Sequence, residues 1–276
     1  LALMAIRPSN RHGIPALLLF IVLGMGSGAL GLKFDDYELA DGVATVALMV
    51  IMFYGGFGTN WKMARPVARE AIVLSFLGTV TTGLITGLFC HWVLGFSLLE
   101  GMLLGSIVGS TDYASVSNIL RSKNLNLKYN TAPLLELESG SNDPTAYTMT
   151  MVFLSVIQGT KLSIPVMVVS QVAVGLAVGF ALSFLFGLYL KKVRTREDGL
   201  SSVLMAAMML ITYSVTNLLS GNGYLALYIL GIYLGNQGSS YGIAGSVVVF
   251  LLWVYYSAQI LFFGAEFTQV YATRYG

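Results

Sequence analysis

The stretch ELESGSNDPTAY, residues 136–147, places Glu136, Glu138 and Asp143 inside an apolar run that extends over about 130–158. A carboxylate at mid-bilayer costs about 2.5–3.5 kcal/mol on insertion scales, so acids at that depth face a cavity, a partner or an ion path. Helical spacing sorts the stretch into faces. Ser139 and Asp143 stand at i and i+4, as do Glu138 and Asn142. The first pair offers a hydroxyl and a carboxylate to a cation; the second offers an acid that wants a partner and an amide that can brace the bend. Pro144 cannot donate to the carbonyl one turn earlier, which predicts a loosened helix just there.

Thirty residues upstream, GSIVGSTDYAS at 105–115 carries a second acid, Asp112, among Gly105, Gly109, Ser110 and Thr111. Small and hydroxylated residues around an acid predict an interrupted helix. Such breaks expose unpaired carbonyls and half-helix dipole ends near the midplane, the groups that hold ions in transporters. A hard monovalent cation prefers oxygen ligands, and Thr111, Asp112, Ser139 and Asp143 supply them. Glu136 and Glu266 read as acids nearer the ends of their spans.

Only 10% of the 276 residues are charged, against roughly 25% in soluble domains, so the chain is read as membrane-embedded. About twenty apolar residues cross the hydrocarbon core. Nine stretches approach that length, over about 13–32, 42–58, 70–94, 98–120, 130–158, 164–190, 199–219, 222–236 and 243–265. The eighth is short and glycine-rich, which predicts a tilted or irregular helix covered by neighbouring protein. The fold expected is an all-α polytopic membrane protein.

Charge orients these spans. Arg7, Arg11, Lys62, Arg65, Arg69, Arg121, Lys123, Lys128, Lys191, Lys192, Arg194 and Arg196 fall in alternate loops, whereas Asp35, Asp36, Glu38 and Asp41 make the first opposite loop acidic. The positive-inside rule then puts the N-terminus in the cytoplasm. The opening residues LALMAIRPSNR read as the cut end of an earlier helix rather than a signal peptide.

Several chemistries are set aside. The formal net charge of +2 gives no field on the scale of nucleic-acid binding. One cysteine, Cys90, and two histidines, His12 and His91, leave no disulfide and no zinc set, so no cofactor is expected. No phosphate-cradling GxxxxGK[ST] motif is present. An intramembrane hydrolase would need a histidine at depth beside Ser139 or Ser141, or a GxGD context for its aspartates, and the sequence has neither. It does not read as an enzyme. The competing view is a non-transporting membrane protein, truncated or fused, in which small-xxx-small pairs such as Gly24 with Gly28, Gly83 with Gly87 and Gly175 with Gly179 serve packing alone.

GSTD at 109–112 together with ESGSNDP at 138–144 resembles the bacterial monovalent cation/proton antiporters, above all the potassium/proton antiporters of the cell-volume-regulation type. The likeness runs from about residue 10 to 237 and includes HGIPALLLFIVLGM, FYGGFGT, LRSKNLN and GNGYLALYILGIYLGN. It implies part of an inverted-repeat fold with broken, crossing helices, in the bacterial inner membrane. It further implies that Asp143 carries either the proton or the cation, with Thr111, Asp112 and Ser139 as co-ligands. Asn142 would be a structural brace with Glu138, and an Asn-Asp pair resembles the electroneutral branch. The partners implied are potassium or sodium ions, protons, the bilayer and a second copy in a homodimer. After residue 237 the tail YGIAGSVVVFLLWVYYSAQILFFGAEFTQVYATRYG resembles the last membrane segment of the BrkB/YihY-type inner-membrane family. The domains expected are therefore 1–237, a partial antiporter domain, and 238–276, an appended helix.

Overall fold

The computed structural model describes residues 22, 24–26, 36–111, 127–129, 131–160, 163–192 and 198–237. Asp112, Glu266, Gly28, and the first and ninth expected spans, save residues 22 and 24–26 of the first, lie outside the described residues, as does the expected junction after residue 237. The described elements are helices: α1 (Tyr37–Gly58), α2 (Trp61–Ala64), a 3-10 turn (Arg65–Val67), α3 (Ala68–Trp92), α4 (Leu98–Val108), α5 (Thr131–Ile157), α6 (Ile164–Lys192), α7 (Asp198–Leu218) and α8 (Gly223–Gly235). Three stretches, Tyr37–Gly58, Trp61–Trp92 and Ile164–Lys192, are long and apolar enough to cross a membrane.

The chain divides into two compact units. The larger comprises Met52–Tyr113 and Leu127–Gly242 and, apart from the start of α1, holds everything described below.

Helix boundaries follow local capping. Helix α1 begins at Tyr37 rather than 42 because the Asp36 carboxylate accepts the Leu39 amide at 3.0 Å. Glu38, expected in a loop, thereby sits in the first turn, where the positive end of the helix favours it. Helix α4 starts at a capping box: the Ser97 hydroxyl accepts the Glu100 amide at 3.3 Å and the Glu100 carboxylate accepts the Ser97 amide at 3.1 Å.

Backbone contacts set the packing of α3 on α4. A Cβ added at Gly105 would collide with the Gly83 carbonyl, and one at Gly87 would lie 3.0 Å from the Gly101 carbonyl. Glycines at these positions let the two main chains touch, the close approach that membrane helices use where no hydrophobic force draws them together.

Helix α8 corrects an expectation. It is a regular helix from Gly223 to Gly235, not an irregular one, because Asn222 caps its start, accepting the Tyr224 and Leu225 amides at 3.0 and 3.1 Å. The expected covering by protein is present: Tyr224, Ala226, Leu227, Tyr228, Ile229, Leu230 and Leu234 are all buried. Two of its glycines face backbone, Gly231 against the Phe53 carbonyl and Gly235 against that of Phe57, while Gly223 faces the Tyr213 and Asn217 side chains. At its C-terminal end the Asn236 side chain donates to the Thr59 carbonyl at 2.8 Å and accepts the Trp61 amide at 2.9 Å, fixing the α1–α2 corner.

Candidate functional site

The site forms where α4 stops against the middle of α5. Helix α4 ends at Val108, well before residue 120, and Gly109 closes it. Gly109 is pressed against α3, where a Cβ would lie 3.1 Å from the Thr79 carbonyl. Ser110 and Thr111 follow outside any helix, which is the interruption read from GSIVGSTDYAS.

These two residues meet the acidic face of α5. The Ser110 hydroxyl donates to an Asp143 carboxylate oxygen and lies 2.8 Å from the Asn142 side-chain oxygen. The Ser139 hydroxyl donates to the Thr111 carbonyl at 2.7 Å. The Asn142 amide donates to the Thr111 hydroxyl at 2.5 Å and to a Glu138 oxygen at 3.3 Å, and the Thr111 hydroxyl donates to the other Glu138 oxygen at 3.3 Å. Asn142 has no exposed surface and Ser139 is buried, whereas Thr111 is exposed. Thr111, Ser139, Asn142, Glu138 and Asp143 are thus gathered in one cluster.

Two features differ from the sequence reading. Ser110, seen there only as one of several small hydroxylated residues, makes the direct contact with Asp143. The Thr111 side chain instead joins Asn142 and Glu138, and its contribution toward Ser139 is a backbone carbonyl. Two consecutive residues carry the same hydroxyl group, and the sequence alone does not say which partner each takes.

Pro144 does not interrupt α5, which continues from Thr131 to Ile157. The helix is tied from outside one turn further on, where the Pro144 carbonyl accepts from the Asn222 amide at 3.0 Å as well as from the Thr148 hydroxyl of α5 itself at 2.8 Å. Asn222 is a part of this neighbourhood that the sequence reading passed over, since its partners lie 78 and 74 residues away.

Such a cluster can hold a cation through carboxylate, hydroxyl and carbonyl oxygens, and its carboxylate can carry a proton instead.

The chain matches the family profile described as "Sodium/hydrogen exchanger, transmembrane" over residues 1–267. That match runs on past residue 237, where the antiporter likeness read from the sequence ended, and takes in most of the tail. Among curated proteins, it is 36% identical over 242 residues to the K(+)/H(+) antiporter NhaP of Alkalimonas amylolytica, covering 86% of this chain and 42% of that protein. It is 36% identical over 237 residues to K(+)/H(+) antiporter NhaP2 of Shewanella oneidensis, covering 83% and 41% respectively. The chain therefore spans about two fifths of the length of these relatives. Among solved structures, the sodium proton antiporter MjNhaP1 from Methanocaldococcus jannaschii superposes with a TM-score of 0.82 at 22% identity, over 96% of this chain and 67% of that one. The fold is that of this antiporter, and with a family match spanning nearly its whole length the chain belongs to the transmembrane sodium/hydrogen exchanger family.

Proposed function

We propose that this chain forms the ion-exchanging part of a secondary transporter that trades a monovalent cation, potassium or sodium, for a proton across the inner membrane, electroneutrally. The observation that carries the reading is the Ser110–Asp143 contact at the point where α4 breaks off, with Asn142 and Glu138 tying Thr111 in place beside it. Asp143 is the exchanging carboxylate. Thr111, Ser139 and Asp112 complete the ligand set, and Asn142 with Glu138 is the brace. The relatives' names, K(+)/H(+) antiporter, support potassium.

Competition at one carboxylate produces the exchange. A bound cation favours the ionised form and a bound proton removes the charge that holds the cation, so the two ligands exclude one another. Each occupancy can then be released on either side, and the gradient of one ion drives the other without ATP. An amide at 142 leaves Asp143 the only carboxylate of the Asn142–Asp143 pair, consistent with one cation for one proton.

The N-terminus is placed in the cytoplasm and two copies are placed together in the membrane. Cysteine labelling at Lys62 and Asp41 in a Cys90→Ser background tests the first, with Lys62 expected to react from the cytoplasmic side. Cross-linking in membranes tests the second.

The deciding experiment is cation-dependent proton flux in proteoliposomes for wild type and Asp143→Asn. Exchange in the wild type and none in the variant is expected. Equal exchange in both would remove Asp143 from the mechanism, and an inert wild type would leave the chain a non-transporting membrane protein.

A further inference from the structure

Tyr228 is a buried polar group that the exchange site, as described, does not use. It is 3% exposed, and its hydroxyl has no hydrogen-bond partner among the described residues. Buried hydroxyls are nearly always paired, so one left open asks for a reason. The ring is seated on backbone: a Cβ added at Gly140 would meet the Tyr228 hydroxyl and come within 2.5 Å of Cε2 and Cζ. The Cβ position of Gly55 lies 3.9 Å from the same Cε2.

The register of α8 on α5 explains where the hydroxyl falls. Glu136, Gly140, Asp143 and Tyr147 recur at helical spacing and share one face of α5. Tyr224, one turn before Tyr228, meets Tyr147 edge-on, with ring centroids 4.8 Å apart. Tyr228 consequently sits over Gly140, and along α5 Asp143 lies about one turn beyond Gly140 and Glu136 one turn before it. Both carboxylates act on its hydroxyl electrostatically, and Thr59 and Ser141 stand beside it without reaching hydrogen-bonding geometry. Among the described residues these two acids are the charged groups that bear on it. Helices α1 and α6 meet α8 through glycine and apolar positions, and α7 through Tyr213, whose hydroxyl lies 3.4 Å from that of Tyr224. Glu138 is on the neighbouring face, turned to Thr111.

We infer that Tyr228 is a proton relay between Asp143 and Glu136. When Asp143 and Glu136 swing within hydrogen-bond reach of the hydroxyl, the protonated Asp143 carboxyl gives its proton to the Tyr228 oxygen as the Tyr228 O–H proton passes to the Glu136 carboxylate. One O–H bond breaks and one forms at the tyrosine, which stays neutral. Rotation of the hydroxyl resets it. Glu136 lies seven residues from Asp143, about 10 Å along the helix, toward the end of α5 that follows Lys128. The proton thus leaves the cation's ligands by a path that the cation does not share. The inference rests on the antiporter reading.

Tyr228→Phe keeps the ring on Gly140 and removes only the hydroxyl. In the reconstituted chain, cation-dependent thermal stabilisation should persist, while cation-driven proton flux should fall about a hundredfold, the lower range for a lost proton-transfer group. Glu136→Gln should show the same loss, and the double variant no further loss, because both act in one step. Wild-type flux in Tyr228→Phe, additive losses in the double variant, or loss of cation stabilisation together with flux would each overturn the relay while the antiporter reading stands. An inert wild type would overturn both.

Discussion

The side-chain amide of Asn222 donates to the Pro144 carbonyl at 3.0 Å, joining the residue that opens α8 to the middle of α5. The same amide reaches the Thr148 hydroxyl at 3.2 Å, and the Asn222 backbone N–H donates to the Gln171 carbonyl of α6 at 2.9 Å. A single residue, 1% exposed, ties three helices at the level of the proline.

Replacing Asn222 by alanine removes both the cap of α8 and the external donor to α5. The expected loss is about 1–3 kcal/mol, combining a helix cap with a buried hydrogen bond. Thermal unfolding in detergent measures it. A variant as stable as wild type would mean that neither the cap of α8 nor the bond to the Pro144 carbonyl supports the fold.

Gly105→Ala should destabilise by about 1–3 kcal/mol, the usual cost of overpacking, because the new methyl meets the Gly83 main chain and not a movable side chain. Gly78→Ala is the control, since nothing lies within 4 Å of its Cβ position. There the change should be neutral or stabilising by up to about 1 kcal/mol, from helix propensity alone. Equal effects at the two positions would contradict the packing.

Ser110→Ala should weaken the apparent cation affinity about tenfold, since a hydrogen bond to a charged group is worth roughly 1.5–3 kcal/mol and each 1.4 kcal/mol is about tenfold. Ser110→Thr keeps the hydroxyl and should retain most of it. The dependence of proton flux on cation concentration reads both. If alanine and threonine behave alike, the hydroxyl is not the group that matters.

Asn142→Asp replaces an amide that donates to Glu138 at 3.3 Å with a carboxylate that repels it. Destabilisation of about 1–3 kcal/mol is expected, in the range for leaving a buried polar group unsatisfied. Glu138→Gln in the same chain should recover much of it. Failure of that rescue in a double-mutant cycle would separate Asn142 from Glu138.

The Asn142–Glu138 contact was legible because both residues lie on one helix, where a spacing of four residues fixes which side chains meet. The break at Gly109 was legible for a related reason: small and hydroxylated residues around an acid cannot sit in lipid as ordinary helix. What the sequence leaves open is direction and distance. Ser110 and Thr111 carry the same functional group, and only the path of the chain after Val108 decides that one hydroxyl meets Asp143 while the other joins Asn142 and Glu138. Asn222 and Tyr228 act on α5 from far along the chain, with no local pattern to mark them. The regularity of α8 was missed because its glycines read as weakness, whereas Gly231 and Gly235 are positions where neighbouring backbone comes close.

Where side chains separate two helices, rotamer changes take up small displacements and the helices slide. Between Gly83 and Gly105 and between Gly87 and Gly101 the main chains are in direct contact, and there is nothing between them to yield. Helix α3, 25 residues long, therefore acts on α4 as a lever without play. A tilt imposed anywhere along it arrives undamped at the Ser110 hydroxyl and the Thr111 carbonyl.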